Sequence, residues 1–71
     1  MELGLGRIYR IIGRRLHGSD VAPASETFEG CVYQGRTELG SGSVMDAFWS
    51  PEIGHYHFFK PGAFEAEEKN K

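Results

Sequence analysis

The chain has 71 residues, of which 39% are hydrophobic and 25% charged, with a formal net charge of −2. A chain this short holds one domain and has little interior to spend on a deep enzyme cleft. Its single cysteine, Cys31, excludes an internal disulfide framework and suits a reducing compartment.

The total charge hides a segregation. Residues 1–16 set Arg7, Arg10, Arg14 and Arg15 against Glu2, a local charge of +3, whereas residues 17–68 set only Arg36 and Lys60 against nine carboxylates, a local charge of −7. An acidic body repels nucleic acid phosphates and attracts basic protein surfaces. The arginines also interrupt the N-terminal apolar residues before a signal peptide or a membrane span of about 20 apolar residues can form, so a cytoplasmic protein without membrane contact is expected. Small size favours a homodimer or a fold stabilised by a partner.

The first element, "GRIYRIIGRRLHG", has two readings. At helical spacing Leu5, Ile8, Tyr9, Ile12 and Leu16 make one apolar stripe. As a strand, both faces are largely apolar. Gly4, Gly6 and Gly13 would each cost a helix about 1 kcal/mol relative to alanine, and the isoleucines suit a pleated surface, so the strand is preferred.

Residues 17–26 have loop composition. The segment "TFEGCVYQGR" follows as a strand with Phe28, Gly30 and Val32 on one face and Glu29, Cys31 and Tyr33 on the other. "TELGSGS" is a hairpin connection. It lacks the lysine of a phosphate-binding loop. "SVMDAFWS" alternates Val44, Asp46 and Phe48 with Met45, Ala47 and Trp49, and Pro51 ends it. Residues 52–54 turn the chain into a last strand at 55–60, Phe64 tucks back, and residues 66–71 follow the domain of residues 1–65 as a flexible charged tail.

These elements predict a mainly β fold: a small antiparallel sheet of three to four strands, strongly curved or closing partly into an SH3-like barrel. The alternative is an N-terminal helix packed on a three-stranded sheet. The order Tyr9-Arg10-Ile11-Ile12-Gly13, Ser25-Glu26-Thr27-Phe28-Glu29 and Val32-Tyr33 resembles small bacterial domains with an SH3-like strand pattern. That resemblance implies a fold and no activity.

Chemistry-bearing residues are sparse. Cys31, His17, His55 and His57 accompany several carboxylates but form no nucleophile motif, so no catalytic residue and no cofactor are assigned and a non-enzymatic protein is expected. His55 and His57 are two apart on a strand and so share a face, a spacing at which two imidazoles can meet one zinc, yet no third ligand stands at a diagnostic spacing. The leading expectation turns His55, His57 and Phe59 outward and Tyr56 and Phe58 inward.

On that reading Trp49, His55, His57 and Phe59, with Glu29, Asp46 and Glu52, form the contact surface for a protein partner with a basic face. A phage-encoded inhibitor or adaptor acting on a nucleic-acid-handling protein would fit this description. The first alternative is a nucleic-acid-binding domain using Arg7, Arg10, Arg14 and Arg15, with Tyr9 stacking on a base. The second is metal binding at His55 and His57.

Overall fold

The computed structural model describes residues 3–17, 20–40 and 42–69. Their elements are β1 (Ile8–Gly13), β2 (Leu16–His17), β3 (Asp20–Val21), β4 (Glu26–Glu38), β5 (Val44–Ser50), β6 (His55–Phe59) and β7 (Phe64–Glu68). Five of them make one antiparallel sheet in the order β6-β5-β4-β1-β7. β2 and β3 pair separately as a small hairpin between β1 and β4. The protein is mainly β, with no helix among the described residues.

The helical alternative for the N-terminal segment is thereby corrected. Ile8 to Gly13 pair with β4 on one side and β7 on the other, and their backbone groups are taken up by those two ladders. The expected sheet also gains a strand. Residues 66–68, expected to begin a flexible tail, instead belong to β7, where Glu68, Glu67 and Ala66 lie opposite Tyr9, Arg10 and Ile11. β7 forms because the unpaired edge of β1 would otherwise leave a row of amides and carbonyls without sheet partners, and because Phe64 and Ala66 alternate inward with Glu65 and Glu67 facing out.

β4 organises the rest. It is 13 residues long, and its N-terminal half pairs with β1 while its C-terminal half pairs with β5; in both registers the shared residue is Val32. Two bulges bend it. Between Tyr9 and Ile11 of β1, β4 advances three residues from Cys31 to Phe28, and Gly30 takes the extra position at φ 63°. Between Phe48 and Ala47 of β5 it inserts Gln34 ahead of Gly35 at φ 99°. A glycine in the left-handed region is the usual occupant of such a bulge, since a side chain there is strained.

The two bends fold the halves of the sheet towards each other. Phe48 and Phe59 from β5 and β6 meet Phe64 of β7 at ring-centroid distances of 5.6 and 5.3 Å, and Tyr9 of β1 meets Phe48 edge-on at 6.3 Å. Ile11, Cys31, Phe48 and Phe59 are completely sealed. Leu3 and Phe28 close the concave side. An interior this small rests on a few large side chains, each of which contributes roughly 1.5–3 kcal/mol on burial.

Candidate functional site

β6 decides which surfaces are available. Its register places His57 opposite Phe48 and Phe59 opposite Asp46, while Tyr56 lies opposite Trp49 and Phe58 opposite Ala47. The alternation read from the sequence therefore holds, but its sense is reversed. Phe59 is 0% and His57 7% exposed, whereas Tyr56 is 49% exposed. The expectation that His57 and Phe59 face solvent while Tyr56 faces the core is overturned. Phe48 and Phe59 share a face and meet edge-on at 5.8 Å, which forces Tyr56 to the opposite one.

The displaced histidine is packed rather than displayed. His57 lies on the ring of Phe28 at 4.5 Å, and its Nε2 is buried with no hydrogen-bond partner. Burial pulls its pKa down from the ordinary histidine value, and the neighbouring His55 and Arg15 push in the same direction against Glu26. His55 is exposed, with Nδ1 2.7 Å from the Tyr56 carbonyl oxygen. The two imidazoles stand 5.8 Å apart. Among the described residues no group of three histidines, cysteines or carboxylates gathers to complete a metal site around them.

Asp46, expected on the contact surface, is 2% exposed on the concave face. Its Oδ1 accepts a hydrogen bond from the Tyr33 hydroxyl at 2.7 Å and another from Arg36 Nε at 3.1 Å. Arg36 reaches it directly because the two residues are a cross-strand pair, and the second bulge of β4 returns Arg36 to the same face as Tyr33. Burial, then the bond to Asp46, pushes the Tyr33 phenol up to about 12, so it remains a proton donor at neutral pH.

The N-terminal arginines are largely engaged within the chain. Arg7 meets Glu68 at 2.6 Å, Arg10 bridges Glu29 at 3.1 Å and Glu67 at 3.4 Å, and Arg15 lies 3.5 Å from Glu26. Arg14 is exposed. Tyr9, expected to stack on a base, is 4% exposed, and its hydroxyl oxygen accepts the Gly4 amide at 2.8 Å. The basic cluster and the acidic body are thus partners across β1, β4 and β7.

The outer face of the sheet carries a surface that period-two reading of single strands did not reveal. Ile8 lies opposite Val32, Val32 opposite Trp49, and Trp49 opposite Tyr56, so one row of apolar side chains crosses β1, β4, β5 and β6. Ile8 and Tyr56 at the ends are exposed, and Val32 and Trp49 between them are half-buried. The Trp49 and Tyr56 rings are 4.7 Å apart, and Phe58 extends the aromatic surface beyond Tyr56 at 6.3 Å.

Beside this row, Glu29, Gly30, Pro51 and Glu52 line a shallow depression. Of the residues singled out from the sequence, Glu29 and Glu52 are brought together here, and Trp49 lies in the apolar row. Asp46, His57 and Phe59 are turned away. Ile8, Val32 and Tyr56 were missed, and the signal that finds them is the strand register rather than any motif. No protein-family model, curated protein or solved structure matches this chain.

Proposed function

We propose that the chain is a small, non-enzymatic protein-binding module that docks a basic, partly apolar segment of a partner on the outer face of its sheet. The row Ile8–Val32–Trp49–Tyr56 carries the reading. A tryptophan and a tyrosine in contact, half open to water and flanked by carboxylates, have the composition of an interface centre with an acidic rim. Lysine or arginine side chains of the partner would meet Glu29 and Glu52 at the rim and lie over the Trp49 and Tyr56 rings.

The whole-chain charge of −2 and the carboxylates Glu29 and Glu52 at the depression would steer such a partner, and an inhibitor or adaptor that covers a basic groove of a nucleic-acid-handling protein is the use it suits. The finer fold assignment belongs to the same proposal. A meander whose last strand returns to the free edge of the first, bent twice along its central strand, supports an SH3-like, partly open barrel.

The experiment is affinity capture on the immobilised chain after nuclease treatment, comparing wild type with Trp49→Ser/Tyr56→Ser and with Glu29→Gln/Glu52→Gln. A protein retained by the wild type, released by salt and lost from both variants while their circular dichroism is unchanged supports the reading. Capture that vanishes with nuclease, or that neither variant alters, contradicts it.

A further inference from the structure

The five-stranded sheet does not close on itself, and β6 is one of its two terminal strands. Across the open side β6 meets the start of β4, whose residues 26–28 pair with β1, and β2, which belongs to the separate hairpin. Among the described residues that seam is made by side chains and not by a strand ladder: the Phe28 ring stands 4.5 Å from the ring of His57 and 5.6 Å from that of Phe59. These contacts are separate from the outer apolar row.

The seam contains one polar fault. His57 is 7% exposed, and its Nε2 is buried without a hydrogen-bond partner. A neutral imidazole leaves one bond unmade there, whereas an imidazolium would leave both a charge and a donor unmet. The groups around the ring do little to balance a cation. His55 of its own strand stands 5.8 Å away ring to ring, the link between β1 and β2 brings Arg15, and β4 brings Glu26, which already pairs with Arg15 at 3.5 Å. β5 sets the uncharged Phe48 opposite. Burial first, then His55 and Arg15, hold the ring neutral against the pull of Glu26. The His17 side chain, in β2, lies outside the described residues.

We propose that His57 is an acid-sensitive latch: proton uptake on its ring releases Phe28 and opens the seam between β6 and the start of β4. Parting side chains across the seam is the least disruptive way to hydrate the cation, because the other routes break the β5–β6 ladder or the sealed core around Phe48. The Gly30 bulge, at φ 63°, is the hinge from which residues 26–29 move. Opening presents the Phe28 and His57 rings at acid pH and withholds them at neutral pH. With the exposed ring titrating at the ordinary value of about 6.5 and the closed one kept neutral, the ratio of open to closed rises by up to about thirtyfold from about pH 7.5 to about pH 5.

The test is NMR relaxation dispersion on the isotope-labelled chain at those two pH values, which reads exchange with a minor state on the μs–ms timescale. The minor population is expected to grow about tenfold or more on acidification, with exchange at Arg15, Glu26, Thr27, Phe28 and His57 while Val32 and Phe48 stay silent. His57→Phe, which keeps a ring against Phe28, is expected to abolish the acid response, and His17→Gln and His55→Gln to retain it. No exchange at either pH, exchange spread over all the strands, a response that survives in His57→Phe, or one lost in His17→Gln or His55→Gln would each overturn the latch.

Discussion

His57 is the residue whose environment departs furthest from its chemistry, since a titratable ring is sealed against Phe28 with one nitrogen unpartnered. Its folded pKa is depressed, so below the ordinary histidine value of about 6.5 the unfolded chain binds a proton that the native chain refuses. Native stability should therefore fall as pH drops from about 6.5 towards 5. Replacing His57 by phenylalanine should flatten that fall, as followed by denaturant midpoints across the window; parallel profiles for the two proteins would contradict a buried neutral imidazole. Phe59 makes the complementary prediction. It is 0% exposed and packed by Phe28, Phe48 and Phe64, so Phe59→Ala should cost about 3–5 kcal/mol, and a loss under 1 kcal/mol would mean that it is not in the core.

At the scale of elements, β4 shows what alternation conveys and what it omits. β5 was legible from "SVMDAFWS", because an unbulged strand keeps strict period two, and Phe48 and Asp46 do face the core together. In β4 each bulge changes the parity. Phe28, Cys31 and Tyr33 all turn inward, although a regular strand would put Phe28 opposite the other two. The glycines at 30 and 35 were visible in the sequence, but period two gives no means of telling a bulge from an ordinary small residue.

Gly30 offers the cleaner test because a side chain there would meet nothing within 4 Å, so only backbone strain at φ 63° is probed. Gly30→Val should destabilise by about 1–2 kcal/mol in chemical denaturation, and Gly30→Asn by less, because asparagine tolerates the left-handed region. Equal losses for the two would argue against the bulge. β6 was legible as a strand and illegible in its sense: HYHFF is aromatic on both faces, so only its register with β5 decides that Phe59 joins Phe48.

Across the whole molecule, the sequence-level charge segregation becomes a set of ion pairs. The basic β1 lies beside the carboxylates of β7 and the N-terminal half of β4, which is why the arginine cluster was plain in the sequence but its partners were not. Glu52, which lines the depression with Glu29, Gly30 and Pro51, is not among those paired carboxylates and gives the outer face a negative group to present. Binding through that face should weaken as salt rises, because exposed carboxylates are screened. The apolar row itself required strand register as well as residue identity, since its four members come from four strands.

The central claim is that partners meet the outer row and not the histidine side of β6. It is tested most directly by mapping amide and side-chain shifts of the isotope-labelled chain on addition of the protein retained in the nuclease-treated capture. The account predicts shifts concentrated at Ile8, Glu29, Val32, Trp49, Glu52 and Tyr56, and shifts concentrated at His55, His57 and Phe28, with Trp49 and Tyr56 silent, would contradict it.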